Sequence, residues 1–301
     1  MKKIYLAFFT LVTGLSLNAQ LTNANHSPVA GEVFSTYQCD STAISVGASG
    51  ASALWNYATI PTHSSVVNNY TANANSNVSY PVPGVAVGSV LSNLSYYQSS
   101  NSALNYFGGN IQIATVSAAL IYTSSAVVAV YPMSLNTAST SATGGTFNIT
   151  SPFPQAGTFT GNSETVADAT GTLVIPTGTF TNVIRVVTSQ TINFNATITG
   201  TVTQKNYDYY NAGTKEALFT ISTSTVDIPS FPPASTRTIV TRTKPVTVGI
   251  KENKQALIEL SFYPNPSSTI VNFITESAEA KQILVYDITG KLVEKQNFTD
   301  G

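Results

Sequence analysis

Residues 191–203 read TINFNATITGTVT, a stretch that alternates apolar and polar side chains. The apolar side chains that fall on one face are Ile192, Phe194, Ala196, Ile198 and Val202. The polar side chains that fall on the other face are Thr191, Asn193, Asn195, Thr197 and Thr201. Alternation of this kind, rich in β-branched residues, is typical of an antiparallel strand with one buried face. The stretch therefore predicts one half-buried strand in an all-β domain.

The same pattern continues on both sides of this stretch. Further strand-like runs, separated by Gly, Pro, Asn and Ser, cover 85–90, 110–116, 126–131, 145–149, 172–175, 182–190 and 218–226. The apolar region 111–131 is interrupted by Thr123, Ser124 and Ser125, which favours two strands over one membrane helix. No amphipathic helix of ten or more residues is apparent. We expect an antiparallel sandwich or a curled half-barrel, and no transmembrane segment.

Charge is scarce and unevenly distributed. Charged residues make up 9% of the chain, the net charge is -1, and hydrophobic residues make up 43%. No charged residue occurs from Ser41 to Ser163, whereas ten of the 13 Lys and Arg lie at or beyond Lys205. The hydrophobic content is enough for a folded core, and the charge balance gives no reason to expect nucleic acid as a partner. The asymmetry indicates two regions with different roles.

The two ends of the chain differ in composition from its middle. Lys2 and Lys3 precede an apolar run over 4–17, and Ala19 precedes a plausible cleavage point before Gln20. These features predict a signal peptide over 1–19. A polar and proline-containing stretch predicts a linker over 229–255. The exported β-rich domain is therefore expected over 20–228.

The C-terminal region carries the most specific motif. An apolar strand ends in Tyr263-Pro264-Asn265-Pro266, where two prolines prevent the strand from continuing. A second strand ends in Tyr286-Asp287, and Gly290-Lys291 follows after a two-residue interval. Gly290 is free to adopt a positive φ, so the segment predicts a tight turn between two strands. The pattern indicates a small β-sandwich over 256–301.

These residues resemble the type A sorting domain of type IX secretion, a module of exported Bacteroidota proteins. The resemblance implies the type IX secretion machinery as a partner and a secreted or outer-surface location, reached through the periplasm. Such modules continue through further strands, so we expect the module in this sequence to be incomplete. Residues 169–186, within a region of about 125–228, are similar to a segment of other exported Bacteroidota proteins of uncharacterised family. Pro176, Gly178, Thr179 and Phe180 resemble part of the curled, half-open periplasmic barrels that hold apolar ligands.

The residues offer little support for catalysis. The chain has two histidines, His26 and His63, and no recognisable hydrolase, metalloprotease or phosphate-loop motif. Glu164 and Asp168 are the closest acidic pair in the middle of the chain, and we expect them to flank a turn as solvated side chains. We therefore expect no catalytic residue, no metal site, no cofactor and no enzymatic activity.

Arg185 is the one cation between the signal peptide and Lys205, and it lies among apolar residues of a predicted strand. A buried arginine requires a partner. Asp168 and Glu164 are both candidates, so we expect a structural ion pair, with ligand binding by Arg185 as the alternative.

Three other features have two interpretations each. Tyrosines cluster at 96–97, 106 and 207–210, where they form either core or a surface that stacks on sugars. Ser41, between Asp40 and Thr42, resembles a short O-glycosylation acceptor of this bacterial group. Cys39 is the single cysteine, so it is either a buried apolar side chain or a thiol that pairs between chains.

The sequence therefore favours a secreted or cell-surface-attached, non-enzymatic protein that binds glycans or surfaces. A carrier of an apolar small molecule is the alternative, followed by a hydrolase. A large apolar pocket would favour the carrier, and a buried pair of carboxylates would favour the hydrolase.

Overall fold

A computed structural model describes residues 20–80, 82–89, 93–113, 116–151, 154–197, 199–229, 234–244, 260–267, 269–275 and 282–297. The chain divides into two compact units, Met1–Pro245 and Val246–Gly301. The predicted signal peptide over 1–19 lies outside the described residues.

The described part of the first unit is almost entirely β-structure. Its elements are α1 (Asn23–His26), β1 (Val33–Cys39), β2 (Gly50–Asn56), β3 (Thr62–Ala74), β4 (Val85–Ser89), β5 (Asn93–Ser99), β6 (Ala103–Ile113), β7 (Val116–Val130), β8 (Ala138–Ser151), β9 (Gln155–Ile175), β10 (Gly178–Asn195), β11 (Gly200–Tyr210), β12 (Phe219–Asp227) and β13 (Ser235–Thr243).

These thirteen described strands form one sheet that closes on itself. The order is β10-β11-β12-β13-β1-β3-β4-β5-β6-β7-β8-β9-β2, and β9 also pairs with β10, so twelve strands make a closed ring. Neighbours in the ring are antiparallel, whereas β2 adds to β9 in parallel beside the ring. The all-β prediction is confirmed. Of the two architectures that were expected, the curled sheet is the nearer, but its curl continues to full closure.

The stretch 191–203 is a hairpin, and the prediction of one continuous strand is wrong. β10 ends at Asn195 and β11 begins at Gly200, and Ile192 pairs with Val202 across the two strands. Partners in an antiparallel pair share a face of the sheet. The alternation in the sequence therefore continues through the turn and conceals it.

The predicted linker over 229–255 also needs correction, because β13 lies inside it. β13 pairs with β12 on one side and with β1 on the other, so it is a member of the closed ring. The exported domain thus extends at least to Thr243. Proline and polar residues mark a connection between strands as readily as one between domains, so composition alone did not distinguish the two.

The ring has a packed interior and a second core on its outside. Tyr97 on β5 and Tyr210 on β11 pack against the same buried cluster, although β5 and β11 are not neighbours in the sheet. These two side chains therefore meet across the interior. Tyr209 is adjacent to Tyr210 and faces outward, where it contacts Trp55 with ring centres 5.0 Å apart. Residues 40–60, which we call the cover segment, pack over this outer core.

The second unit is described as two separate strand pairs. They are formed by β14 (Leu260–Tyr263) with β15 (Asn272–Thr275), and by β16 (Gln282–Tyr286) with β17 (Leu292–Asn297). The predicted turn after β16 is present, and Gly290 has a φ of 84°. Among the described residues of both units, no helix is long and apolar enough to cross a membrane.

We expect the first unit to fold without the second. A chain of residues 20–250 should melt in a single cooperative transition with a β-rich circular dichroism spectrum, because the ring closes without any strand after β13. The mature chain of residues 20–301 is the control, and its main transition should coincide with that of the shorter chain. A broad, non-cooperative melt of the shorter chain would contradict this expectation.

Candidate functional site

The interior of the ring is filled by apolar side chains in two places. One cluster contains Leu21, Leu104, Ala129 and Met133, and the other contains Phe147 and Phe159. About eight strands enclose an interior that side chains just fill, and the diameter grows with the number of strands. A ring of twelve strands therefore has room inside it that these two clusters do not need to occupy.

Polar side chains line one wall between the two clusters. Asn206 and Asp208 on β11 pair with Ser222 and Thr220 on β12. The Thr220 hydroxyl donates to Asp208 Oδ1 at 2.7 Å, and the Ser222 hydroxyl donates to Asn206 Oδ1 at 2.7 Å. Gln204 Nε2 also donates to Asn206 Oδ1, at 3.2 Å. This wall presents hydroxyl, amide and carboxylate groups to the interior.

Tyrosines line the opposite wall. Tyr97 and Tyr106 are cross-strand partners on β5 and β6, with ring centres 5.5 Å apart. Tyr210 approaches from β11, and its hydroxyl interacts electrostatically with that of Tyr97. Burial raises the pKa of all three hydroxyls above the ordinary tyrosine value. All three tyrosines are therefore neutral at physiological pH.

The side chains of both walls keep intermediate exposed fractions. Tyr97, Tyr106, Asp208 and Tyr210 are all half-buried, even though burial shifts each of their pKa values. These groups are thus removed from bulk solvent and yet border unfilled space. We name the region around Tyr97, Tyr106, Asn206, Asp208 and Tyr210 the interior site.

Two carboxylates at the interior site have unusual pKa values. Burial raises the pKa of Asp208 to about 6 and that of Glu216 to about 7. Both charges act on the Tyr210 hydroxyl and raise its pKa further. Lys215, adjacent to Glu216, bonds to Glu32 instead at 2.7 Å. Within the described ranges, neither Asp208 nor Glu216 has an ion-pair partner.

The segment 20–28 closes one end of the ring. Leu21 is fully buried and exchanges two backbone hydrogen bonds with Met133, each 2.8 Å long. His26 Nδ1 lies 2.7 Å from the Tyr131 hydroxyl, and its ring centre lies 4.6 Å from that of Tyr210. Burial lowers the pKa of His26 to about 4, so its imidazole is neutral. Beside this segment is a cavity of about 160 Å³, which is lined by Pro28, Pro83, Gly84, Val85, Tyr97, Ser99 and Leu104.

Arg185 forms its ion pair on the outside of the ring, with Asp168. Nε and Nη2 donate to the two carboxylate oxygens at 2.8 and 2.7 Å, and Nη1 donates to the carbonyl of Val46. Arg185 pairs with Ala169 and Val186 pairs with Ala167, so Asp168 is the extra residue of a β-bulge. The bulge brings the carboxylate to the face that carries the guanidinium. The contact to Val46 ties the cover segment to the sheet.

The expectation that Glu164 and Asp168 flank a turn is wrong, because both lie within the long strand β9. Glu164 is exposed and makes no ion pair among the described residues. Gly171 also lies in β9. A Cβ there would approach the Ala53 carbonyl oxygen to 1.9 Å, so the parallel contact with β2 requires glycine.

The other residues singled out in the sequence are dispersed. Cys39 is buried in the outer core with a free thiol, and His63 is exposed on β3. Ser41 is half-buried just after β1, beside Asp40, whose carboxylate accepts a hydrogen bond from the Thr42 backbone at 2.9 Å. The described residues contain no group of three or more His, Cys, Asp or Glu side chains that could hold a metal ion.

The tyrosine clusters of the sequence divide between the two faces of the sheet. Tyr97 and Tyr210 face the interior, whereas Tyr207 and Tyr209 face outward beside Arg185. The centres of these two outward rings lie 5.4 and 5.7 Å from the guanidinium carbon of Arg185. Tyr96 also faces outward and stacks on Tyr80, with ring centres 3.8 Å apart. Neighbouring residues in a strand point to opposite faces, so a cluster in sequence is not a cluster in space.

In the second unit, the sorting-motif turn is held by its aspartate. Asp287 Oδ1 accepts hydrogen bonds from the Thr289 and Lys291 backbones at 2.8 and 3.0 Å. A hydrogen bond from the Thr289 hydroxyl, together with these two backbone hydrogen bonds, lowers the pKa of Asp287. Tyr286 ends β16 directly before this turn. Tyr263 ends β14, and Pro264-Asn265-Pro266 follows it.

The fold and the interior site define a protein with a closed β-domain around an enclosed polar site, followed by a separate small β-unit. Residues 261–301 match a family model described as "Secretion system C-terminal sorting domain". The resemblance predicted from the Pro-Asn-Pro and Asp-Ile-Thr-Gly segments is therefore confirmed. The tail marks the chain for export by the type IX machinery to the outer surface or beyond. Comparisons with curated proteins and with solved structures find no match to the chain.

The interior site was not recognised in the sequence. Its signal was present in β11, where Gln204, Asn206, Asp208 and Tyr210 alternate with outward-facing residues. A polar face of that kind is normally read as the solvent side of a strand. Because the ring closes, this polar face of β11 lies toward the interior and not toward bulk solvent.

Proposed function

We propose that this protein is a secreted or cell-surface-attached, non-enzymatic binding protein, and that its interior site holds a small hydroxyl-rich molecule such as a sugar unit. The sorting tail supports the outer location. The signal peptide expected over 1–19 would supply the first step of export, through the periplasm, in a cell of the Bacteroidota type.

The composition of the interior site is the observation that carries this proposal. The faces of Tyr97 and Tyr106 offer amphipathic stacking surfaces opposite Asn206 and Asp208. The Asn206 amide nitrogen makes no hydrogen bond to a described residue, so it is free to donate to a ligand. Binding sites typically combine aromatic lining with a few placed polar groups of this kind.

The same geometry gives less support to a carrier of apolar molecules. The fully buried apolar side chains of the interior pack within two separate clusters, one with Leu21 and Met133 and the other with Phe159. Partly exposed apolar side chains such as Phe194 and Val202 lie at one of these clusters, whereas the partly exposed groups of the interior site are tyrosines and polar residues. A wholly apolar ligand would leave the Asn206 amide nitrogen without a hydrogen-bond acceptor, at a cost of about 1–3 kcal/mol.

A glycan array probed with the mature chain, followed by calorimetry on the sugars that bind, tests this proposal. We expect Asn206→Ala to weaken binding of such a sugar about tenfold, which corresponds to about 1.4 kcal/mol and to the loss of one hydrogen bond in a partly enclosed site. Lys205→Ala is the matched control, since Lys205 is the next residue on β11 and is exposed on the outside. Binding that is indifferent to Asn206→Ala, or no binding at all, would contradict the interior site.

A hydrolase is the second candidate, because Asp208 and Glu216 both have the raised pKa values that acid catalysts require. Incubating each bound sugar with the protein and analysing the products by mass spectrometry separates the two functions. We expect the sugar to be recovered intact. Cleavage that disappears in Asp208→Asn would favour the hydrolase.

A further inference from the structure

Two cations and one tyrosine lie together on the outside of the ring, away from the interior site. Arg242 on β13 is the cross-strand partner of Tyr37 on β1, and its guanidinium carbon lies 4.6 Å from the centre of that ring. Lys244 directly follows the end of β13, with Nζ 5.9 Å from the same ring centre. One aromatic face thus attracts two positive charges.

The guanidinium of Arg242 is poorly satisfied. Arg242 is 8% exposed, Nη2 donates to the Thr62 hydroxyl at 3.0 Å, and Nη1 donates to the Thr243 carbonyl at 3.5 Å. Nε is buried and has no hydrogen-bond partner among the described residues. No carboxylate forms an ion pair with Arg242 or Lys244 among the described residues. Of the two acids that flank β1 in the sequence, Glu32 is paired with Lys215, and the carboxylate of Asp40 accepts a hydrogen bond from the Thr42 backbone.

A comparison with Arg185 shows what is missing. Arg185 is also buried and surrounded by aromatic rings, but it has the two oxygens of Asp168 on its donors. A buried cation without such a partner is costly, and a tyrosine face compensates only part of the cost. Arg242 has the aromatic ring without the carboxylate. What Arg242 lacks, compared with Arg185, is a pair of negatively charged oxygens that accept its hydrogen bonds.

We propose that Arg242, Lys244, Tyr37 and Thr62 form a binding site for an oxyanion group: a carboxylate, a sulfate or a phosphate carried by a ligand. Arginine presents a planar fork of donors that matches two oxygens of such a group, and lysine adds a point charge. Tyr37 and Lys244 are half-buried, so the site can be reached from solvent. The site is separate from the interior site and does not depend on the function proposed for it.

Titration of the mature chain with inorganic phosphate, sodium sulfate and sodium glucuronate at low ionic strength tests this site, with binding followed by calorimetry. We expect saturable binding of at least one of these anions, weakened by added sodium chloride because screening reduces the attraction. Lys244→Gln should weaken that binding about fivefold or more, and its fold should remain intact because Lys244 lies at the end of the site. Arg242→Gln should abolish the binding.

Lys205→Gln is the matched control, because Lys205 also lies on an outward tyrosine, with Nζ 5.3 Å from the centre of Tyr207. Its anion binding should equal that of the unaltered chain. The anion that binds most tightly distinguishes a phosphorylated or sulfated ligand from an acidic sugar. If no anion shows saturable binding, or if Lys244→Gln and Lys205→Gln behave alike, the proposed site is refuted.

Discussion

Replacing Arg185 with alanine is expected to destabilise the first unit by about 3–5 kcal/mol, because the change leaves the Asp168 carboxylate without its partner in a partly buried position. Arg185 is 2% exposed, and Asp168 receives two of its hydrogen bonds. The change also removes the donor to the Val46 carbonyl and the cation between Trp55 and Tyr207. Denaturant unfolding followed by circular dichroism measures the loss of free energy.

The cover segment gives this prediction a local test. Since Arg185 and Tyr209 both bond to Val46, Arg185→Ala should expose residues 40–60 to limited proteolysis before the ring unfolds. Lys205→Ala, on the outside of the neighbouring strand, is the control and should change stability by about 0.5 kcal/mol or less. In the Arg185→Ala background, Asp168→Ala should cost much less than it does alone. Equal costs in the two backgrounds would mean that the ion pair does not stabilise the fold.

The second large effect is expected in the dependence of stability on pH. Asp208 and Glu216 have folded-state pKa values of about 6 and about 7, above their ordinary values of 3.8 and 4.5. The folded state therefore holds these protons more tightly than the unfolded chain does. Stability should consequently be lost as the pH rises from about 4 to about 7. With a reduction for residual solvent exposure, each group should contribute about 2 kcal/mol.

His26 acts in the opposite direction. Its folded-state pKa of about 4 lies below the ordinary value of 6.5, so its contribution to stability is lost as the pH falls through that interval. Between pH 8 and pH 6.5 the carboxylates act alone, and below pH 6.5 the histidine partly cancels their effect. We therefore expect the free energy of unfolding to rise on acidification from pH 8 to pH 6.5.

Two amide variants isolate the carboxylates. Asp208→Asn and Glu216→Gln should each make the protein more stable at pH 8. Glu216→Gln should flatten the change between pH 8 and pH 6.5, and Asp208→Asn should reduce the change between pH 6.5 and pH 5. Glu164→Gln is the matched control, since Glu164 is exposed on the outside of β9, and it should leave the pH profile unchanged. Denaturant titrations at pH 8, 6.5 and 5 provide the measurement. A profile that neither amide variant alters would show that the interior carboxylates do not carry the pH dependence.

The Arg185 ion pair could be predicted in part from the sequence, whereas the interior site could not. Arg185 among apolar neighbours indicated a buried cation, and Asp168 was one of two acids near it in the sequence; the choice between them required the bulge at Asp168. Asp208 and Tyr210 were visible only as members of a tyrosine-rich run. Their common face was apparent from alternation, but whether that face met water or an enclosed interior was not.

By itself, the sequence determined the local properties of the chain: its β-structure, the faces of its strands, the Asp287 turn and the sorting tail. These properties follow from side-chain period, turn residues and short motifs, which act within a few residues. Only the tertiary structure decided the ring closure by β9 with β10, the inclusion of β13 and the enclosure of the polar face of β11. Those outcomes depend on which distant strands pair, because a sheet encloses an interior only when its two edges meet. The alternation of side chains along a single strand has the same period in an open sheet and in a closed one, so it does not reveal the closure.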